Sequence, residues 1–437
     1  MKRALIITYY WPPAGGGGVM RWLKMSKYLP EQGWQPVIYT PENPDPSVID
    51  KSLSDEIHPA TEVLNTRIWE PYDLYRKLTG KSKDTAFKPG YISEAARRGW
   101  KDRLSVFLRG NFMIPDPRVF WVKPSVQFLK KYLRQHPVDL IITTGPPQSI
   151  HLIGLKLKKI LGIPWLADFR DPWTEIDFYR RLKLTHWADK KHHRLEKAVL
   201  GNADVVTTVS PWLKQNTEKI AGRNVDVIYN GFDPADYEFE APLEQDKFTI
   251  AHFGTFHIDQ NPPAFWKALR QAKTENPDFA KKLNIRLMGQ TDGSVIENIK
   301  TEGLAEHIEL HDHLPHMEGL PLLKKSAALL LPLNNATDVM GILPGKMFEY
   351  MAVKRPIIAI GPYEADFAGI INSTKTGSVH DFDEQDKMKA TILTLFEQFE
   401  AGKLAVDSRG YEKFSRRNLA HEIINLPFKN SSASQNN

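Results

Sequence analysis

The sequence predicts an α/β protein of two doubly wound, Rossmann-like domains that face a central cleft. Short apolar, β-rich runs alternate with helix-like segments in two series, and 437 residues are too many for one compact core. The runs are continuous in Ile, Val and Leu, which is typical of strands covered on both faces of a parallel sheet. The turn dipeptide Asn230-Gly231 separates the two series and marks the predicted domain boundary.

Seven strands are predicted in residues 1–230 and five in residues 231–408. The first set is Arg3–Trp11, Pro36–Thr40, Thr66–Glu70, Asp139–Gly145, Ile163–Asp168, Val205–Ser210 and Val225–Tyr229. The second set is Phe248–Gly254, Ile285–Gly289, Ile308–His311, Ala327–Leu333 and Arg355–Ile360. An insertion rich in aromatic and basic residues, 71–135, interrupts the first series. Residues 409–437 are expected to form a helix that packs back on the first domain, followed by a disordered tail.

The composition excludes several classes of protein. The chain has no cysteine, so it has no disulfide scaffold, thiolate zinc site, iron–sulfur cluster or cysteine nucleophile. The apolar start is short and leads into Trp-Pro-Pro and four glycines, which indicates a buried first strand rather than a signal peptide. No run of about 18 apolar residues occurs, so no segment is predicted to span a membrane. These features predict a cytoplasmic protein.

The net charge of +6 is unevenly distributed. Residues 1–230 contain 36 Lys and Arg against 23 Asp and Glu, whereas the remainder contains 22 against 29. A basic first half is typical of a surface that meets an anionic partner. The candidates are a phosphorylated substrate, an anionic lipid surface and nucleic acid. The alternative is a solvated surface without a partner.

A run of four glycines, Gly15–Gly18, lies between the first strand and a helical pattern that starts near Val19. Glycines at such a junction let a ligand approach the backbone, and the helix start offers N–H groups to a phosphate. The run is not a P-loop, because no Gly-Lys-Ser/Thr follows. The dinucleotide fingerprint is also incomplete, because no acid ends the second strand. We interpret the run as a ligand loop, with a plain tight turn as the alternative.

Three segments of the chain match a known pattern. Leu343–Ala352 continues into Arg355–Ala359, Val227–Asp233 follows a predicted strand, and Phe253-Gly254-Thr255 ends another. In that order they resemble the donor-site segment, the interdomain element and the glycine turn of one enzyme family. That family is the retaining glycosyltransferases of family four, which have the two-domain GT-B fold.

The resemblance implies an enzyme that moves a sugar with retention from a nucleotide-sugar to a lipid-linked or saccharide acceptor. The first domain would hold the acceptor and the second the nucleotide-sugar, without a metal or a cofactor. Thr144–Pro147 and Ala167–Trp173 resemble a subgroup that acts in surface-polysaccharide assembly, which implies a peripheral position on the inner face of the cell membrane. The alternatives are a sugar-nucleotide epimerase of the same fold and a non-catalytic peripheral membrane protein.

The resemblance also implies a donor site. Glu349 would accept both ribose hydroxyls, and Lys346, one helical turn earlier, would contact the diphosphate. The alternatives are a solvated carboxylate and a simple ion pair between the two. The other implied donor-binding residues are Gly16, Gly17, Gly254, Thr255, Gly341, Ile342 and Leu343.

The donor segment departs from the family pattern at two places. The family has a second glutamate eight positions before the first, where this chain has Gly341. The Arg and Lys that the family places on the diphosphate would fall at Thr255 and near Gln260-Asn261, which are uncharged. Lys346, Arg286 or the glycine loop is therefore expected to compensate.

Charged residues follow the apolar strand that ends near Asp168. The carboxyl ends of parallel strands face the ligand crevice, and charges there are costly to bury unless they are paired. We predict that Arg170 binds a phosphate and that Asp171 orients or deprotonates the acceptor hydroxyl. The alternative is a structural network of Arg and Asp. His151, on the preceding helix, is interpreted as a structural residue rather than a ligand contact.

A short cluster of His311, Asp312, His313 and His316 suggests a metal site at first sight. Alternate residues of a strand point to opposite faces, so Asp312 faces away from the first two histidines. The Leu-Pro that follows breaks the run and no third ligand is placed. No metal is predicted.

The insertion carries a basic, aromatic segment. Residues 91–134 contain ten Lys and Arg against three acids, and Arg180–Lys197 adds seven against two. Ala96–Arg109 has the pattern of a basic amphipathic helix, and such helices lie in the interface of anionic membranes. A solvated face and a nucleic-acid surface are the alternatives, although no nucleic-acid-binding signature occurs. The predicted acceptor or membrane contacts are Arg97, Arg98, Trp100, Lys101 and Arg103.

Overall fold

The computed structural model describes residues 1–46, 48–70, 100–176, 178–312, 314–336 and 339–428. The chain divides into two compact units, one of Met1–Tyr229 with Leu419–Asn437 and the other of Asn230–Asn418. Each unit is built on one sheet of parallel strands with helices in the connections. The predicted α/β class with two Rossmann-like domains is therefore confirmed.

The first unit contains a seven-stranded sheet. Its strands are β1 (Lys2–Ile7), β2 (Trp34–Pro41), β3 (Glu62–Thr66), β4 (Leu140–Gly145), β5 (Trp165–Phe169), β6 (Val205–Thr208) and β7 (Asp226–Val227). They lie in the order β3-β2-β1-β4-β5-β6-β7. The helices of the connections are α1 (Gly17–Ser26), α2 (Trp100–Phe112), α3 (Val119–Gln135), α4 (Ser149–Leu161), α5 (His186–Asn202) and α6 (Pro211–Ala221).

Helices cover both faces of this sheet, because alternate residues of β1 belong to two separate cores. Leu5 and Ile7 share one core with residues of α3 and α4, whereas Ala4 and Ile6 share the other with residues of α1. The second core also contains four residues of the last helix of the chain, Leu419, Ala420, Ile423 and Ile424. The end of the chain therefore completes the core on the α1 side of the first sheet.

The second unit contains a six-stranded sheet. Its strands are β8 (Phe248–Phe253), β9 (Leu283–Met288), β10 (Ile308–His311), β11 (Ala328–Pro332), β12 (Ile357–Ile360) and β13 (Gly377–His380). They lie in the order β10-β9-β8-β11-β12-β13. The helices are α7 (Pro263–Glu275), α8 (Pro277–Lys282), α9 (Gly293–Thr301), α10 (His316–Lys325), α11 (Gly345–Val353), α12 (Asp366–Thr374), α13 (Gln385–Glu400) and α14 (Arg416–Asn425), which runs on into the first unit.

Two strands differ from the sequence prediction. The third strand lies at Glu62–Thr66 rather than at Thr66–Glu70. It is an edge strand whose residues alternate between partly buried and exposed, so it lacks the continuous apolar run that marks the inner strands. Strand β13 was not predicted, because its short sequence Gly-Ser-Val-His contains one aliphatic residue.

In both sheets the strand order reverses at one strand, so that successive connections run toward opposite edges of the sheet. In the first sheet β1 lies between β2 and β4, and in the second β8 lies between β9 and β11. Parallel α/β sheets bind ligands outside the carboxyl ends of the strands at such points. The candidate positions are therefore the loops after β1 and β4 in one unit, and the loops after β8 and β11 in the other.

Candidate active site

In the second unit, β8 ends in a glycine turn that touches the turn after β9. The Gly254 N–H donates to the carbonyl of Met288 at 2.7 Å. Gly254 and Gly289 both have positive φ, at 105° and 113°, and a Cβ on Gly289 would lie 2.7 Å from the Gly254 oxygen. Only glycine fits this close approach at residue 289.

Lys346, at the start of α11, places its ammonium group over this turn. Its Nζ lies 3.5 Å from the position of a Cβ on Gly254, and it donates to Nε2 of His252 at 3.1 Å and to the carbonyl of Thr255 at 3.3 Å. Burial lowers the pKa of Lys346 to about 8, although Glu349 opposes this effect. Within the described part of the chain this ammonium forms no salt bridge, so a cation with a remaining N–H faces the turn.

His252, a buried residue of β8, determines how Lys346 is held. Its Nδ1 lies 3.1 Å from the carbonyl of Leu330, which can only accept a hydrogen bond, so Nδ1 carries the proton and Nε2 accepts from Lys346. Burial and the charge of Lys346 hold the pKa of His252 well below its ordinary value. This residue was not predicted from the sequence, although a histidine in an apolar strand directly before a glycine turn was an available signal.

Glu349 lies one turn after Lys346 on α11 and pairs with the first residue of α10. Its Oε1 is 3.3 Å from Nε2 of His316. Burial pushes the pKa of Glu349 upward, but the hydrogen bond and charge of His316 and the charges of Arg416 and Lys346 outweigh it and lower the pKa. Glu349 is therefore an ionised acceptor at neutral pH, which is the form that can receive two hydroxyl groups.

Two contacts fix α10 and α11 to the end of β8. The Phe253 N–H donates to the hydroxyl of Tyr350 at 2.8 Å, and the Phe253 ring stacks on His316 with a centroid distance of 6.1 Å. His316 thus connects the glycine turn to Glu349. His311 is engaged elsewhere, at 2.9 Å from Glu309, and His313 lies outside the described residues.

The other predicted donor residues lie on both sides of Lys346. Thr255 is exposed directly after the glycine turn and offers its carbonyl to Lys346. Gly341 ends a short 3-10 turn, the Ile342 N–H donates to Val339 at 3.0 Å, and the exposed Ile342 and buried Leu343 lead into α11.

Arg286 does not supply the missing phosphate charge. It is buried in β9, where its guanidinium pairs with Glu309 at 2.8 Å and with Glu244 at 3.0 Å. Both pairs, with a hydrogen bond from Asn284 to Glu309, form a closed network beside the sheet. Of the two side chains suggested by the sequence as compensation, Lys346 lies at the glycine turn and Arg286 does not.

In the first unit, the glycine loop forms an open junction before α1. Gly16 has a φ of 86°, Gly17 begins the helix, and both are exposed. A Cβ on either would meet none of the described atoms within 4 Å. The loop is held from its other side, where the Gly15 N–H donates to the carbonyl of Val48 at 2.9 Å. The first N–H groups of α1 are thus accessible from outside.

Arg170, at the end of β5, links this loop to the loop after β4. Its guanidinium donates to the carbonyls of Gly18 at 2.8 Å, Gly145 at 3.0 Å and Pro146 at 2.9 Å. Three of its five N–H groups are therefore used on backbone oxygens. Arg170 therefore holds the two loops in position. The role predicted from the sequence was a phosphate contact.

Asp168 pairs with an arginine that the sequence analysis missed. Arg21 of α1 donates to its two carboxylate oxygens at 2.8 and 3.0 Å, and both side chains are almost fully buried. Trp22, Thr144 and Thr207 also donate to the carboxylate. Burial would raise the pKa of Asp168, but Arg21, the hydrogen bond from Trp22 and the charge of Arg170 together lower it. A buried pair of Arg and Asp, the alternative considered for this segment, is thus present. Its arginine is Arg21 rather than Arg170.

Asp171, the predicted catalytic carboxylate, is exposed at the carboxyl end of β5. The residues after it are anchored on α5: Trp173 donates to Nδ1 of His192 at 3.1 Å, and Thr174 donates to Glu196 at 2.5 Å. The loop is therefore held on α5, and the Asp171 carboxylate is exposed.

His151 has a structural environment. It is fully buried on α4, and its Nδ1 lies 2.8 Å from the hydroxyl of Thr143. Thr143 also accepts from Trp165 at 2.9 Å, so His151 belongs to a buried hydrogen-bonded group. Burial lowers the pKa of His151 to about 3, which keeps the ring neutral.

The predicted membrane contacts fall mainly outside the described residues. Arg97 and Arg98 are not described, and Trp100, Lys101 and Arg103 lie on α2 without described side chains. The helix itself runs over Trp100–Phe112. In the described part of the chain, every helix is too short or too polar to cross a membrane.

Comparison with known proteins relates this geometry to one family. Residues 15–236, just over half of the chain, match the sequence profile described as Glycosyltransferase Family 4. A comparison with curated protein sequences gives no match.

Several solved structures share the fold across nearly the whole chain. Sucrose-phosphate synthase from Thermosynechococcus elongatus aligns over 99% of this chain and 100% of that chain, with 14% identity and a TM-score of 0.60. A putative UDP-N-acetylglucosamine 2-epimerase from Listeria monocytogenes aligns over 100% and 97%, with 10% identity and a TM-score of 0.55. WaaG, a glycosyltransferase involved in lipopolysaccharide biosynthesis, aligns over 100% of both chains with 11% identity and a TM-score of 0.50. These likenesses show the GT-B fold.

Proposed function

The chain belongs to Glycosyltransferase Family 4, and from that premise we propose that it transfers a sugar from a nucleotide-sugar to a lipid-linked or saccharide acceptor. The second unit binds the nucleotide-sugar and the first unit binds the acceptor. Transfer proceeds with retention and without a metal, and it serves cell-surface polysaccharide synthesis at the inner face of the membrane.

The observation that carries the proposal is the position of Lys346. Its ammonium lies over the Gly254 turn at the carboxyl end of β8, held by two neutral acceptors, and the described residues give it no carboxylate partner. A half-buried cation that forms no salt bridge is only partly compensated in the free protein, and it is stabilised further when an anion arrives. A diphosphate at this turn supplies that anion. Lys346 then takes the place of the Arg and Lys that the family pattern has.

Glu349 supports a nucleotide rather than a simple phosphate as the ligand. It lies on the same face of α11 as Lys346, one turn further along the helix. An ionised carboxylate one helical turn from Lys346 can accept hydrogen bonds from the two vicinal hydroxyls of a ribose. The pair therefore fits two adjacent parts of one molecule, a diphosphate and a ribose.

The first unit supports the acceptor role through Asp171. Its exposed carboxylate follows β5, and Arg170 holds the neighbouring loops through three backbone carbonyls. We assign to Asp171 the orientation or deprotonation of the acceptor hydroxyl, and to Arg170 the positioning of that loop pair. Arg170 keeps two N–H groups that can also reach a phosphate.

The envelope and lipid assignments are supported by sequence features. Thr144–Pro147 and Ala167–Trp173 resemble a surface-polysaccharide subgroup, and the first half of the chain is basic. The structure of WaaG, a glycosyltransferase involved in lipopolysaccharide biosynthesis, shares the fold.

One experiment distinguishes transfer from epimerisation. The protein is incubated with a panel of nucleotide-sugars, with and without a membrane lipid extract, and nucleoside diphosphate release is measured. Release that requires the extract and persists with a chelator supports metal-independent transfer, and the anomeric configuration of the product tests retention. Conversion of the nucleotide-sugar without an acceptor would instead support the epimerase, whose fold the chain also shares. Absence of both reactions would support the non-catalytic alternative.

A further inference from the structure

Gln148 is a buried residue in the loop after β4, directly before α4. Its Nε2 donates to the backbone carbonyls of Asp171 at 3.3 Å and of Pro172 at 3.4 Å. Carbonyl oxygens only accept hydrogen bonds, so these two contacts fix which end of the amide faces them. The amide N–H groups are therefore directed at the loop that carries the predicted catalytic carboxylate.

The oxygen of the same amide is not used by the fold. It is buried, and it has no hydrogen-bond donor among the described residues. It lies against Gly145, where a Cβ would be only 2.7 Å from Oε1 of Gln148. A buried acceptor without a donor is unfavourable for stability, and an apolar side chain of similar size would avoid that cost. The presence of an amide here is therefore explained by what its N–H groups hold rather than by the stability of the fold.

The loops after β4 and β5 hold each other by contacts that run in both directions. Arg170 reaches from the loop after β5 to two carbonyls at the end of β4 and just beyond it. Gln148 reaches in the opposite direction, to the carbonyls of Asp171 and Pro172. The backbone on both sides of the Asp171 side chain is thereby fixed, so the direction of its carboxylate depends on both contacts.

The start of α4 is itself anchored, which gives Gln148 a fixed position. Asp116 accepts from the Ser149 N–H at 2.8 Å and from the Ser149 hydroxyl at 2.9 Å. The carbonyl of Gln148 accepts from the His151 N–H at 3.1 Å. Gln148 is thus held by α4 rather than by the loop that it contacts, and its amide ties the position of that loop to the helix.

We propose that Gln148 is a positioning residue for the transfer, which fixes the backbone of Asp171 so that the carboxylate meets the acceptor hydroxyl in one orientation. The inference rests on the proposed function, from which it takes the role of Asp171. Gln148 acts through two backbone carbonyls and contributes no reacting atom. A displacement of about 1 Å at a reacting group can lower turnover about 100-fold, so a contact of this kind affects the rate strongly.

The hold on the loop can be measured without any sugar transfer. Hydrogen exchange at the backbone N–H groups between Arg170 and Thr174 is compared in the intact wild type and in Gln148→Met, which keeps the approximate size of the side chain. Asp171 is exposed and Pro172 partly exposed, so water can replace the amide on their carbonyls and the variant should melt close to the wild type. Exchange in the loop should nevertheless become severalfold faster. Gln127→Met, which removes an exposed amide from α3, is the control and should change neither exchange nor turnover.

Turnover tests whether this hold serves Asp171. Gln148→Met should lower kcat about 10- to 100-fold and leave nucleoside diphosphate affinity unchanged, because the nucleotide is bound in the second unit. Adding Gln148→Met to Asp171→Asn should have little further effect, because a positioning residue acts only through the group that it positions. A residue that touches the acceptor, or one that only supports the fold, would add its full effect in the double variant.

Gln148→Glu tests the N–H groups themselves. An ionised carboxylate has no hydrogen to donate to the two carbonyls, whereas its protonated form has one O–H donor. Burial favours the protonated form. Turnover relative to the wild type at the same pH should therefore be low near about pH 8 and should rise as the pH falls toward about 5. A purely structural role would not produce this recovery.

The results that would overturn the inference differ from those that would overturn the proposed function. Unchanged loop exchange in Gln148→Met overturns the inference whether or not the wild type transfers a sugar. Wild-type turnover in Gln148→Met, or effects that multiply in the double variant, would also overturn it. A wild type without turnover, together with faster exchange in Gln148→Met, would contradict the proposed function and leave the hold on the loop in place. Thermal melting of each variant confirms that it is folded at the temperature of the assay.

Discussion

The Nζ atom of Lys346 lies 3.1 Å from Nε2 of His252, and the residues are 94 positions apart in the chain. The histidine is kept neutral by burial and by the lysine charge, and its Nδ1 proton is committed to Leu330. Lys346 is therefore held by a neutral acceptor and keeps its charge for a ligand. Its lowered pKa of about 8 places the loss of that charge within an accessible pH range.

The first prediction concerns the pH dependence of nucleotide binding. The lysine is charged below about pH 8 and neutral above it, so nucleoside diphosphate affinity in wild-type protein should fall as the pH rises through this value. A bound phosphate favours the charged form and moves the midpoint upward. Lys346→Arg should remain charged and lose this dependence, and Lys346→Met should bind about 10- to 100-fold more weakly at neutral pH. Calorimetric titration at several pH values measures each effect.

The matched control for Lys346→Met is Lys267→Met, which removes an exposed lysine from α7 of the same unit. Its affinity should equal that of the wild type. Affinity that increases with pH in the wild type, or that is unchanged in Lys346→Met, contradicts the assignment of Lys346 to the diphosphate.

The second prediction concerns Glu349. Glu349→Gln removes the charge that His316 and Lys346 stabilise, and an amide offers one acceptor oxygen in place of two. We expect nucleoside diphosphate affinity to fall about tenfold while the melting temperature stays close to that of the wild type. Glu318→Gln, at an exposed position of α10, is the control and should have no effect. Equal affinities for wild type and Glu349→Gln in calorimetry would remove Glu349 from the ribose site.

The third prediction concerns the buried pair of Arg21 and Asp168. Arg21→Met leaves the Asp168 carboxylate buried without its cation, which should destabilise the first unit by about 3–5 kcal/mol. Lys158→Met, which breaks the partly exposed pair with Asp204, should cost about 0–1 kcal/mol. Calorimetric unfolding measures the loss of stability in each variant. Similar losses would show that the buried Arg21 pair contributes no more than the partly exposed Lys158 pair.

The same pair has a defined pH dependence. Arg21 lowers the pKa of Asp168 in the folded protein, so the unfolded state binds more protons as the pH falls below about 4. The stabilisation is therefore complete at neutral pH and decreases on acidification. Arg21→Met should show a smaller loss of stability between neutral pH and that range.

The fold was predictable because its signals are local. Eleven of the twelve predicted strands overlap an observed strand along most of its length, since a strand covered on both faces must be apolar throughout. The edge strand Glu62–Thr66 lacked that signal because one face is exposed, and Gly377–His380 was too short to show it. Both misses lie at the ends of their sheets.

The candidate site was predictable only in part, because its contacts are between distant residues. The resemblance identified Lys346 and Glu349 on one helix, but their partners His252 and His316 come from other elements. Likewise, the cation of Asp168 lies 147 positions away in Arg21 rather than two positions away in Arg170. Sequence patterns show that a buried charge needs a partner, and tertiary packing decides which residue provides it.

The last prediction concerns Asp171 and the acceptor. Asp171→Asn keeps the size of the side chain but removes its charge, so turnover should fall about 100-fold or more while nucleotide affinity stays the same. Glu175→Gln, an exposed acid in the same loop, is the control and should retain turnover. Trp173 and Thr174 hold the loop on α5 independently of the Asp171 carboxylate, so the variant should keep its fold. Normal turnover in Asp171→Asn would remove Asp171 from the catalytic site, and a loss confined to temperatures at which the variant unfolds would give it a structural role beside Arg170.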